Sequence, residues 1–203
     1  MIHPDTELRR VNETIGYGVF ATRPIPKGTI LYVKDPLEIE VTPEQFEQMD
    51  SQYQSVVNWF SYIDERGYRI VSWDIAKYVN HRCDANSIST GYGFEIATRD
   101  IAAGEEITDE YGIFNLPCPM QCCCGSRNCR GLISGNDWDV FGHVWDKRAK
   151  DALRCLSQVA QPLMKFLDTE VYHDLMQYLN SRRNYRSLMG LRIPDNKAIE
   201  KIG

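Results

Sequence analysis

No run of apolar residues in this 203-residue chain approaches the roughly 20 needed to cross a bilayer, and the opening MIHPDTELRR has no apolar centre of the secretory kind. Biased tracts and internal repeats are missing too, which excludes the disordered and collagen-like classes. Nor is there a surplus of positive charge. Against 28 Asp and Glu stand 23 Lys and Arg, a net of −5, whereas a duplex nucleic-acid binder needs a basic face to neutralise phosphates. No direct nucleic-acid partner and no membrane are therefore expected; the expected partner is neutral or basic. Finally, an even cysteine count is missing. Seven cysteines, five of them within residues 118–129, do not pair into disulfides and read as metal ligands of an intracellular protein, cytoplasmic or nuclear.

What is present divides the chain in two. A hydrophobic share of 43% and the length suit one globular domain with an appendage. Residues 1–133 carry 12 basic and 19 acidic side chains, a net of −7; residues 134–203 carry 11 and 9, a net of +2. Between Gly16 and Ile39, short apolar runs broken by Pro24, Pro26 and Gly28 predict two strands and a turn. Thr42-Pro43-Glu44-Gln45 combines a cap, a first-turn proline and a reciprocal Gln, and predicts one helix running to about Trp59. Strands are predicted again at 68–72, at 87–97 as a hairpin loosened by Gly91 and Gly93, and at 106–108. Past Ser134-Gly135-Asn136, the spacing of Ala149, Leu153, Leu156, Ala160 and Leu163 predicts an amphipathic helix ended near Gln161 by Pro162. Val171, Leu175, Met176 and Leu179 outline a second, ending near Asn180.

The spacing C-x-C-x4-C at Cys122, Cys124 and Cys129 lets three thiolates reach one centre from a tight loop. Tetrahedral zinc takes four ligands. Cys83, the sole cysteine upstream of the cluster, is the candidate fourth, with Cys118, Cys123 and Cys155 as less well-spaced alternatives. Four sulfurs leave no open position for water, so the metal is expected to clasp rather than catalyse.

Four signals now stand in order: Gly16-Tyr17-Gly18-Val19-Phe20; Asn80-His81-Arg82-Cys83-Asp84-Ala85-Asn86; Gly104-Glu105-Glu106-Ile107-Thr108-Asp109-Glu110-Tyr111-Gly112; and the cysteine cluster ending in Cys129-Arg130-Gly131. Together they resemble the SET-domain protein-lysine methyltransferases with their zinc-binding post-SET tail. The resemblance covers roughly residues 7–133 and implies a SET domain over 7–116, a post-SET segment over 117–133 and a C-terminal helical extension over 134–203. It implies a mostly β fold of small β-clip sheets with a pseudoknot, an unusual threading. It further implies S-adenosylmethionine on one face, with a lysine entering from the other through a narrow channel. Gly16, Tyr17 and Gly18 fall on the cofactor loop, Lys77, Asn80, His81 and Leu132 on cofactor-contacting positions, and Tyr111 on the catalytic and cofactor-lining tyrosine. The zinc set it implies is Cys83, Cys122, Cys124 and Cys129.

This chain also departs from the pattern. Arg82 replaces a serine, Ala85 a proline, and Lys34-Asp35-Pro36 the usual tyrosine and glycine after the second strand. Asp109 stands where relatives place an aromatic residue limiting the number of methyl groups, and a carboxylate there favours a charged lysine. The expected activity is methylation of a lysine in a basic protein. The alternative is a catalytically weak, zinc-containing SET-like module that binds protein. Trp138, Phe141 and Trp145 raise the further expectation of a homodimer through residues 134–203.

Overall fold

The computed structural model describes residues 1–194; residues 195–203, the end of the expected helical extension, lie outside the described residues. Strands β1 (Thr6–Asn12) and β2 (Gly16–Ala21) form a hairpin, and β3 (Ile30–Val33) follows as a four-residue run buried throughout. Next come β4 (Ile39–Val41), helices α1 (Pro43–Glu47) and α2 (Ser51–Phe60), then β5 (Ser61–Ile63) and β6 (Arg69–Val71). The single helix expected from Thr42 to Trp59 is two. The capping box forms as read, but Asp50 accepts the Gln52 amide at 2.8 Å and starts a second helix. A side-chain acceptor that captures an amide competes with helix continuation.

Strands β7 (Asn80–His81), β8 (Ser87–Ser89), β9 (Phe94–Ala97), β10 (Glu106–Asp109), β11 (Met120–Gln121) and β12 (Leu132–Ile133) complete, among the described residues, four small sheets. Their orders are β1-β2-β10-β7, β3-β9-β8, β4-β6-β5 and β11-β12. Within the first sheet, β10 and β7 pair in parallel, setting Thr108 opposite Asn80 and Asp109 opposite His81. That register carries the Asn-His step alongside the strand that ends just before Tyr111.

Helices α3 (Asp137–Leu153) and α4 (Thr169–Ser181) form the C-terminal part. The amphipathic helix expected to continue past Leu156 toward Gln161 ends at Leu153. The cause is long-range: the Gln161 side chain accepts from the Ile30 amide at 2.9 Å and donates to the Gly28 and Leu156 carbonyls at 2.7 and 2.9 Å. A Cβ on Gly28 would stand 2.7 Å from that of Cys155, so the glycine lets the chain turn against the sheet.

Trp138 and Trp145, expected to offer surface for a homodimer, are instead 2% exposed. They share one apolar core with Ile88, Phe94 and Ile96 of the β3-β9-β8 sheet. Each large apolar side chain so buried contributes roughly 1.5–3 kcal/mol, so this core holds helices and sheet together.

Candidate active site and metal centre

The sulfurs of Cys83, Cys122, Cys124 and Cys129 all lie within 4.8 Å of one another. Cys122 is 3.8 Å from Cys83 and 3.7 Å from Cys129. Zinc–sulfur bonds of about 2.3 Å in a tetrahedron separate sulfurs by about 3.8 Å. The donor set therefore fits a tetrathiolate metal. Cys118, Cys123 and Cys155 stand outside the group. Burial opposes ionisation of Cys124, but the amides of Cys83 and Ser126 and the Cys122 and Cys129 thiols outweigh it and bring the group down to about 7. The Arg130 amide donates to the Cys83 sulfur at 3.4 Å, and Arg82 donates to the Cys124 carbonyl at 2.9 Å. Arg82, where relatives carry serine, thus ties the Asn-His loop to the cysteine loop.

His81 joins this cluster to Tyr111. Its Nδ1 accepts from the Tyr111 amide at 3.1 Å, while Nε2 lies 3.4 Å from the Cys83 sulfur. Burial, helped by the charge of Arg130, lowers its pKa to about 4, so the ring is neutral at pH 7. Nδ1 also lies 3.0 Å from the Asp109 carbonyl, a contact served by the Nδ1–H tautomer, whereas the Nε2–H tautomer serves the Cys83 sulfur. Glu110 braces the same corner, accepting from Gly112 at 2.9 Å and from Arg130 at 2.5 Å, and Arg130 reaches Asp137 of α3 at 3.0 Å.

The Tyr111 hydroxyl donates to the Val79 carbonyl at 2.6 Å. Burial and then the charge of Asp109 raise its pKa, so it stays a phenol. Asn80 donates to the Tyr17 carbonyl at 3.0 Å and to Glu106 at 2.8 Å, closing the glycine loop onto β10. Space is tight at Gly18, whose added Cβ would meet Glu106 and come within 2.9 Å of both Asn80 Nδ2 and Val11. Gly16 has φ +82° and nothing within 4 Å of such an atom, so its side is open. Tyr17 packs edge-on against Tyr78 at 6.1 Å, and Lys77 lies 5.7 Å from the same ring. Tyr17, in the glycine loop, remains 50% exposed; Leu132, 45% exposed, sits on β12, paired with Gln121.

Sequence reasoning left three participants unassigned. Glu95 is hydrogen-bonded to Asp109, and burial raises both carboxyls. Arg148 of α3 donates to the Ala85 carbonyl at 2.6 Å, at the position where relatives have proline, and its charge acts on Asp109. Arg130 stands in the Cys-Arg-Gly signature, a signal that could have found it; Glu95 and Arg148 have none, because their partners are remote in sequence.

Residues 16–112 match the SET domain family. The chain is 34% identical over 140 residues to the variant-silencing SET domain-containing protein of Plasmodium falciparum, covering 62% of this chain and 5% of that protein. It is 36% identical over 76 residues to the histone-lysine N-methyltransferase SUVR5 of Arabidopsis thaliana, covering 30% and 6%. A third relative, 33% identical over 144 residues and covering 57% and 19%, is the probable inactive histone-lysine N-methyltransferase SUVR1 of the same plant. The chain spans about 5% of the length of the first two.

Proposed function

With a SET domain over residues 16–112 as the premise, we propose that this chain moves a methyl group from S-adenosylmethionine to a lysine side chain of a basic protein. One observation carries the reading. His81 bridges the amide of Tyr111 and the sulfur of Cys83, so the tyrosine, the Asn-His step and the four-thiol clasp form one hydrogen-bonded unit. S-adenosylmethionine, when bound, supplies the electrophilic methyl group.

The chain's own residues do the rest. Gly16 offers open backbone, Gly18 a close approach, Tyr17 an exposed ring, Lys77 a cation for a carboxylate, Asn80 and His81 the polar edge, and Leu132 an exposed apolar side chain. The acceptor amine must lose a proton, since a free lysine with pKa about 10.4 is neutral about once in 2,500 at pH 7. Tyr111 has committed its proton to Val79, which leaves the phenol oxygen to accept an amine N–H and orient the lone pair. Cys83, Cys122, Cys124 and Cys129 would hold a zinc ion, which with four sulfur ligands would brace that corner without an open position for reaction. The −7 balance of residues 1–133 suits an acceptor embedded in basic sequence such as a histone tail, met inside the cell in cytoplasm or nucleus.

A second reading, a lysine-binding module of weak activity, is favoured by the buried acid pair at Asp109. Labelled donor with a histone mixture tests both readings. Tyr111→Phe should cut incorporation at least about tenfold, and equal incorporation removes Tyr111 from its role. Calorimetry in which metal-replete protein fails to bind S-adenosylmethionine leaves the module.

A further inference from the structure

Arg130 stands directly after the last cysteine of the thiol loop, and its backbone belongs to that loop. Its amide donates to the Cys83 sulfur at 3.4 Å, and the Gly131 carbonyl next to it accepts from Cys122 at 2.9 Å. Its side chain leaves the loop altogether. One guanidinium nitrogen reaches Glu110 at 2.5 Å and another reaches Asp137, in the first turn of α3, at 3.0 Å. The guanidinium carbon lies 5.1 Å from the Phe141 ring and 5.8 Å from that of Trp145. Asp137, Phe141 and Trp145 follow one another at four-residue steps and so share one face of α3. That face cradles Arg130, whose side chain is only 13% exposed.

Glu110 precedes Tyr111 in the chain. Its carboxylate, 1% exposed, caps the turn Tyr111–Ile113 by accepting from the Gly112 amide at 2.9 Å. A carboxylate buried this deeply needs a partner that offsets the loss of water, and Arg130 supplies it. The same turn is also touched from α3 directly, since a Cβ on Gly112 would lie 2.7 Å from Trp145 Cη2. The route from helix to phenol therefore runs from Asp137 to Arg130 to Glu110, whose backbone continues into Tyr111. A planar fork can span two carboxylates in this way, whereas an ammonium is a point charge.

We propose that Arg130 is a positioning residue for the transfer: anchored by Asp137, Phe141 and Trp145, it fixes Glu110 and thereby the turn that aims the Tyr111 hydroxyl. The inference rests on the methyl-transfer reading and extends it to α3, which carries no motif. No bond forms or breaks at Arg130 and no proton moves there. Its effect is geometric, because a reacting group misplaced by about 1 Å can cost about 10²-fold in rate.

The test uses the whole chain, its metal content measured, with Arg130→Gln, Arg130→Lys and Asp137→Asn. The control on the same helix is Asp139→Asn, whose ion pair with Arg192 lies at the surface. One readout needs no methyl donor: hydrogen exchange at the Gly112 amide should speed up about tenfold or more in Arg130→Gln and Asp137→Asn, and keep the wild-type rate in Asp139→Asn. The other is turnover with labelled donor and a histone mixture. Arg130→Gln should lower kcat about tenfold or more with KM for the donor within about twofold of wild type, Asp137→Asn should lower it less, and Arg130→Lys should recover part of the loss. Asp137→Asn keeps the shape of the side chain and touches no thiol, so its metal content should stay at wild type. Wild-type exchange and kcat in Asp137→Asn, a loss carried by KM alone, or full activity in Arg130→Gln overturns the positioning role. A wild-type chain that transfers no methyl group removes the transferase reading alone, because exchange at Gly112 still decides whether α3 holds the turn through Arg130.

Discussion

The two flanks of Tyr111 are held in different ways. On one side, Asn80, His81, Tyr17 and the four thiols are linked by short polar contacts between segments that carry recognisable motifs. Much of that side is open, with Tyr17 half exposed. On the other, the support comes from residues 134–194, which carry no motif: Trp145 packs on Gly112, Arg148 holds Ala85, and Leu191 accepts from Asn115 at 2.8 Å. The groups that bear chemistry are thus set by local pattern, while the wall behind them is set by a buried core shared with the C-terminal helices.

Removing residues 134–203 is the strongest way to break this contrast. If the wall is structural, residues 1–133 alone lose the whole roughly 5–15 kcal/mol of a typical domain and show no cooperative melting by calorimetry. Retained cooperativity would make the extension a passenger. On the motif flank, Cys129→Ser should release zinc, measured by metal analysis, lower stability by on the order of several kcal/mol and weaken S-adenosylmethionine binding; full metal retention refutes the ligand set. Trp145→Ala should cost about 3–5 kcal/mol in denaturant unfolding while leaving the metal content at wild type, which separates the two flanks.

The smallest effect sharpens the contrast by pH. Glu95 keeps its proton in the fold at pH values where the unfolded chain has released it. Its contribution is therefore fully present below the ordinary carboxylate range and is lost as pH rises toward the folded value. Glu95→Gln removes that loss. Its melting temperature should exceed wild type by a few degrees at pH 8 and converge with it near pH 4; parallel curves across that range would place Glu95 outside the titration.

Helix starts and strand positions were legible where a nearby side chain or alternation decides them, as at the Thr42 capping box and the hairpin of β8 and β9. Legibility failed where a distant group competes. Gln161 satisfies the backbone of Gly28 and Ile30 and ends α3 early, and the tryptophans turn inward because a sheet far upstream needed covering.

By itself the sequence determined the order of the motifs, the spacing that lets three thiols meet, and the tyrosine that follows the β10 motif. Those depend on neighbours a few residues apart, whose geometry the backbone limits to a small menu. Only the tertiary structure decided that Asp109 meets Glu95, that Arg148 backs Ala85 and that His81 touches both Tyr111 and Cys83. Such contacts form between side chains brought together by burial of a common core, and burial follows the whole chain's apolar surface rather than any local pattern.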